Sequence, residues 1–214
     1  MPRRTDRRGH QDAATFRRRT GFHAPRARVL IVCEGEQTER LYFESLKADR
    51  RLTNAEVVVH GPSESGGTHP RNIVDYARDC KKQAEQERNP FDQIWCVFDE
   101  DTHGELENVR ETARARKFDV AYSNPCFEVW LILHHEYTAR PMTAKEAEAR
   151  LRKHIDGYHK SMDVYYLLCD IQPQAMKNAD LLKKHHDGAS SGRPENPSTS
   201  VDLLVQELNA LAEQ

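Results

Sequence analysis

The sequence predicts an α/β fold, a four-stranded parallel sheet with helices on its faces and a helical layer supplied by the C-terminal third. Three observations predict it. Short apolar, β-branched runs recur along the first 122 residues. Helical periodicity follows each run, and the links between them are short and marked by Gly or Pro. Runs apolar on both sides suit strands buried on both faces, and strand–helix alternation implies right-handed crossovers in a doubly wound sheet.

In order, Val29 to Cys33 reads as the first strand, broken at Gly35, and Thr38 to Lys47 as a helix with Leu41, Tyr42 and Leu46 on one stripe. Ala55 to Val59 is a second strand, stopped by Gly61-Pro62. A loop holding Gly66-Gly67-Thr68-His69 leads into a polar helix from Pro70 to Glu87, where proline suits the first turn. Gln93 to Phe98 is a third strand that runs straight into Asp99-Glu100-Asp101. A helix from Gly104 to Lys117 precedes a fourth strand, Phe118 to Tyr122, and an apolar helix through Trp130, Leu131 and Leu133. Ser123-Asn124-Pro125 reads as a helix cap with proline at the first position, and Asn196-Pro197-Ser198-Thr199 as a similar opening to the final helix. Both segments could instead present backbone N–H groups to a phosphate. Beyond His135 the expected helices are Thr143 to Lys153, Met162 to Cys169, Gln174 to His186 and Thr199 to Ala212, with a surface loop from Asp187 to Pro197.

Charge is distributed unevenly. Met1 to Arg28 carries nine Arg against two acids, +7, while the rest has 23 basic and 32 acidic residues, −9. Residues 1–27 are expected to form a flexible basic arm, and residues 28–214 one domain, with the sheet core over about 28–135 and the helical part over about 136–214. An all-Arg arm suits phosphate contacts, and equally suits a solvated tail docking on its own acidic body. No apolar run approaches the roughly 20 residues of a membrane span. The Arg-rich start has no apolar stretch behind it, so a secretory signal is not expected. Five scattered cysteines without Cys-x-x-Cys spacing argue for a reduced, cytoplasmic protein and against a disulfide framework or zinc site.

In open parallel sheets, ligands bind beyond the carboxyl ends of the strands. Glu34 directly follows the first strand; Asp99 and Asp101 follow the third. With strand order 2-1-3-4 the first and third strands are neighbours, and the three carboxylates converge. Like charges so placed raise one another's pKa unless a cation neutralises them, and hard oxygen ligands without His or Cys suit Mg²⁺ or Mn²⁺. Such a centre serves phosphoryl chemistry.

Val32-Cys33-Glu34-Gly35 with Thr38-Glu39, then Phe98-Asp99-Glu100-Asp101, resembles the two motifs of the Toprim fold, found in topoisomerases, bacterial primases and overcoming-lysogenization-defect nucleases. Over nearly the whole chain the resemblance is to RloB-family proteins. It rests on four blocks in order: LIVCEGEQTERLYF from Leu30, IWCVFDED from Ile94, SNPCFEVWL from Ser123 and NPST from Asn196. The resemblance implies an effector of antiphage defence, of the abortive-infection or restriction kind, with an ATPase partner protein. It implies a metal-dependent nuclease acting on nucleic acid, RNA or DNA, with tRNA among the options.

On that resemblance Glu34 matches the first Toprim acid, a metal ligand or general acid/base, and Asp99 and Asp101 match the metal pair. Glu39, at the start of a helix, is a further candidate acid; its other role is to complement the helix dipole. Glu128, in the first turn of the helix after strand four, either adds a carboxylate for a second metal or only answers that helix terminus. Glu36, Glu100, His103 and the pairs His134-His135 and His185-His186 rank below these. The basic helical half (Arg150, Arg152, Lys153, Lys160, Lys177, Lys183 and Lys184) either flanks a nucleic acid or forms solvated faces. A non-catalytic adaptor or toxin subunit docking on the ATPase and a haloacid-dehalogenase-like phosphatase are the alternatives. A homodimer is left open.

Overall fold

The computed structural model describes residues 27–35, 37–59, 70–100, 106–187 and 195–213. The basic arm lies outside them, apart from Ala27 and Arg28, as do Glu36, the Gly66-Gly67 loop, Asp101 and His103.

Four parallel strands form the sheet: β1 (Val29–Cys33), β2 (Ala55–Val59), β3 (Gln93–Asp99) and β4 (Asp119–Asn124). The expected order 2-1-3-4 is the observed one, but a fifth strand, β5 (Ser198–Thr199), extends it to β2-β1-β3-β4-β5. That strand is antiparallel to β4, with Ser123 opposite Thr199 and Asn124 opposite Ser198. The expectation of four strands, and of helix caps at both Asn-Pro segments, is therefore corrected. The two segments lie side by side as extended chain, and their hydroxyls pair across the ladder. Ser123 Oγ and Thr199 Oγ1 lie 3.0 Å apart, the Tyr122 N–H donates to Ser200 Oγ at 3.0 Å, and Thr199 Oγ1 donates to the Tyr122 carbonyl at 3.1 Å. Two residues are too few to leave an alternating pattern in the sequence.

The helices are α1 (Thr38–Asp49), α2 (Pro70–Gln86), α3 (Leu106–Ala115), α4 (Glu128–Leu133), α5 (Ala144–Leu151), α6 (Tyr165–Leu168), α7 (Gln172–His186) and α8 (Val201–Ala212). Thr143 caps α5 in a reciprocal capping box with Glu146. The helix expected from Met162 starts only at Tyr165, because Asp163 Oδ1 takes the Tyr165 N–H at 3.2 Å, and it ends in a 3-10 turn, Cys169–Ile171. Behind α1, α2 and α3 the chain turns through Arg51, Arg88 and Lys117 at positive φ, so none of these helix ends is announced by a glycine.

Alternation along β1 sorts the core into two layers. Val29, Ile31 and Cys33 face the larger layer, with α1 and α4 to α8, whose largest fully buried side chain is Trp130. Leu30 and Val32 face the smaller one, with α2 and α3. All five cysteines are free thiols. Among the described residues, no helix is long and apolar enough to cross a membrane.

Candidate functional site

Parallel strands deliver whatever follows them to one edge of the sheet, and four of the five predicted acids meet there. Glu34 follows β1: its N–H donates to the Val97 carbonyl at 2.9 Å, and its Oε2 accepts the Asp99 N–H at 3.2 Å. Asp99 ends β3. Glu39 stands in the first turn of α1 and Glu128 is the first residue of α4, both buried, at 6% and 2% exposure. Asp101, predicted as the second metal acid of the Asp-x-Asp pair, lies outside the described residues. The Glu100 N–H joins the ladder instead, donating to the Ser123 carbonyl at 2.8 Å.

The electrostatics are those of acids crowded away from water. Burial pushes the Asp99 carboxyl well above the usual carboxylate range, and Glu39, Glu128 and Glu34 push it further; only Lys160 opposes them. Burial also raises Glu39, helped by Glu128 and opposed by a backbone hydrogen bond and Lys160. The Cys126 thiol is raised as well, by burial and then by Glu128 and Asp99. Each shift records a group taken out of water first and placed beside like charges second.

Gly35 sits between two of the acids. A Cβ at this position would land on the carboxyl of Glu39. The glycine is needed for that close approach, since its φ is not in the left-handed region.

Sequence reasoning missed the cover over the acids. After α5 the chain returns through Gly157, at φ 67°, and lays Tyr158 to Lys160 against the site. The Tyr158 hydroxyl donates to Glu128 Oε1 at 2.9 Å, and Thr38 Oγ1 donates to the Lys160 carbonyl at 3.0 Å. Burial opposes the charge of Lys160, yet Glu128 and Glu148 outweigh it and raise the ammonium's pKa; Glu148 Oε1 lies 3.6 Å from Nζ. Nothing near Tyr158 in the sequence marks it, because its partner is 30 residues away. Replacing Tyr158 by Phe should leave one buried carboxylate oxygen short of a donor and cost about 1–3 kcal/mol, read by urea denaturation near neutral pH.

The lower-ranked candidates have other work. His134 is buried, its Nδ1 lies 3.0 Å from the Trp130 carbonyl, and burial pushes its pKa down to about 4, so it stays neutral. His135 stacks on His154 with ring centroids 4.7 Å apart. His186 Nε2 lies 2.9 Å from the Pro197 carbonyl. Of the basic half, Arg150 pairs with Glu136, Arg152 with Glu148, and Lys184 with Asp180.

Among the described residues, no group of three His, Cys, Asp or Glu side chains is arranged to hold a metal ion. The donor set itself, carboxylate oxygens that repel one another, with the Lys160 ammonium opposing them among the described residues, suits a hard divalent cation.

No curated protein and no solved structure matches the chain. The family model described as RloB-like protein matches residues 29–208, from the first residue of β1 to Leu208 within α8. All four carboxylates, their lysine and their tyrosine fall within that match, and the chain belongs to the RloB-like protein family.

Proposed function

We propose that this protein is a Toprim-like, Mg²⁺- or Mn²⁺-dependent nuclease, a phosphodiesterase acting on RNA or DNA, and the effector of an antiphage system with an ATPase partner. One observation carries the reading: carboxylates from four separate elements meet at one strand edge, where burial and then mutual repulsion raise Asp99 and Glu39 above their usual range. Carboxyls perturbed in this way cluster at functional sites. Glu34 and Asp99, with Asp101, would hold the metal, and Glu39 and Glu128 would complete the acidic wall. Bound there, a divalent cation lowers the pKa of its water and neutralises charge on a phosphoryl group.

The chain's own residues divide the remaining tasks. Glu34 is tied to the β3 backbone by its bond from the Asp99 N–H, which fixes the carboxylate relative to the strand end. Tyr158 holds Glu128 in place. Lys160 is the cation that faces the acids, and it is placed to meet a phosphate arriving at the same edge. Its carbonyl is anchored by Thr38, so the strap and α1 move together.

The adaptor reading draws on the lack of a ready-made three-ligand cluster among the described residues. One experiment separates the two. Mn²⁺ is titrated calorimetrically into the native protein and its Asp99→Ala/Asp101→Ala variant, and each is incubated with labelled tRNA, single-stranded RNA and duplex DNA. The expected result is saturable Mn²⁺ binding and cleavage of at least one substrate by the native protein, both lost in the variant. Identical metal isotherms for the two proteins would favour the adaptor.

A further inference from the structure

A second site lies on the outer face of α5, where the chain between Glu136 and Met142 and the end of the helix enclose a groove of about 560 Å³. Four basic side chains line it, Arg140, Arg150, Lys153 and His154, against the two acids Glu136 and Glu146. Both acids already have partners in the groove wall. Glu146 Oε2 accepts from the Thr143 N–H at 2.8 Å and its hydroxyl at 2.9 Å. Glu136 Oε1 accepts from Arg150 Nε at 2.6 Å and lies 3.0 Å from His154 Nε2, and these contacts push its pKa down to about 2.

The cations are in surplus. Arg140 and Lys153 are exposed; Arg140 acts on Glu146 at longer range, and the basic side chains of the groove outnumber its two acids. Arg150 spends only Nε on Glu136, which leaves the terminal amino groups of its guanidinium for another acceptor. Glu136 thus aims Arg150 and does not cancel the groove. The apolar lining is confined to Pro141, Met142 and Ala149, and the ring on the groove wall, His154, is already stacked on His135. A groove rich in fixed donors and poor in aromatic surface takes backbone phosphates and ignores bases.

We infer that this groove is a phosphate subsite for a polynucleotide strand, apart from the carboxylate edge and independent of base identity. It deepens the nuclease reading and takes its ligand class from it. Glu128 and Glu136 bracket α4 and the turn behind it. The six residues of α4 rise roughly 9 Å, so the groove lies beyond the far end of that helix from Glu128.

The test is fluorescence anisotropy of end-labelled, mixed-sequence single strands about 20 nucleotides long, RNA and DNA, in chelator so that nothing is turned over. Native protein, Arg140→Gln/Lys153→Gln and a control Lys177→Gln/Lys184→Gln are each measured over a range of salt. The expected result is an affinity about tenfold weaker for the groove variant at low salt, a salt slope shallower by about 1–2, equal losses on every sequence, and an unchanged control. Both replaced side chains are exposed, so the melting temperature should hold; Lys153→Glu alone supplies a second variant with a larger expected loss. Unaltered affinity in both groove variants, an equal loss in the control, or no strand binding by the native protein would overturn the subsite. So would displacement of the strand by equimolar inorganic phosphate, which would make the groove a free-phosphate site. Because binding is read without turnover, the two readings fail separately. Strand binding through the groove with no Mn²⁺-dependent cleavage sinks the nuclease, and cleavage with an indifferent groove variant sinks the subsite.

Discussion

Replacing Asp99 by Asn should make the metal-free protein more stable while reducing divalent-dependent activity by about 10²–10⁴-fold. The two effects share one cause. Burial and its acidic neighbours raise Asp99 in the folded state, whereas in the unfolded chain an aspartate titrates near about 3.9. A carboxyl whose folded pKa is raised stabilises the fold below its unfolded value, and that contribution is lost as pH rises through the folded one. Asn removes the loss, being neutral throughout. Other groups act in the opposite direction: His134, held down to about 4, and Glu136, held down to about 2, both lose stability as pH falls. They lie outside the acidic cluster, so the difference between the two melting curves, taken at each pH from about 4 upward, reports Asp99 together with the acids it acts on. That difference should favour Asn increasingly as pH rises, and saturating Mg²⁺ should reverse it by stabilising only the native protein. A variant less stable than native at alkaline pH in chelator would show that Asp99 is a structural hydrogen-bonding group and not a strained member of a site.

Gly35→Ala should reproduce the loss of Glu39 without touching any acid. The methyl group would occupy the place of the Glu39 carboxyl, a buried group that would have to move aside. Overpacking of this kind costs about 1–3 kcal/mol. The chain should still fold, since the displaced group is the end of a side chain and the backbone here tolerates alanine. Activity and Mn²⁺ affinity of Gly35→Ala should therefore match those of Glu39→Gln, and the double variant should be no worse than either alone. Additive losses would mean that the glycine serves the backbone and not the carboxylate.

How far the sequence could be read depended on distance along the chain. The parallel strands were legible because each is a continuous apolar run. The order 2-1-3-4 then placed Glu34 beside Asp99 with no further information. Glu39 and Glu128 were legible as first-turn acids, with their inward direction left between two roles; burial of both carboxyls decides the direction. Ser198 and Thr199 were misread because Asn-Pro-Ser-Thr carries the same signature as a helix opening, and what draws it into the sheet is its bonding to Tyr122 and Ser123, more than 70 residues away. Tyr158 and Lys160 were not legible as site residues, since what places them is a glycine turn and a bond to Thr38, 122 residues away. The steric role of Gly35 was hidden for the opposite reason: it concerns a neighbour four residues on, but only once that neighbour is folded inward.

The Thr38–Lys160 bond also sets a timetable for synthesis. The earliest acid of the edge is residue 34 and the strap that covers it ends near residue 160, so three-quarters of the chain must leave the ribosome before the edge is complete. β1 cannot find β3 until residue 99 has emerged, and long-range pairing of this kind forms late in any order of folding. A nascent chain that stops short of residue 158 therefore carries the acids but not the tyrosine and lysine that cover them.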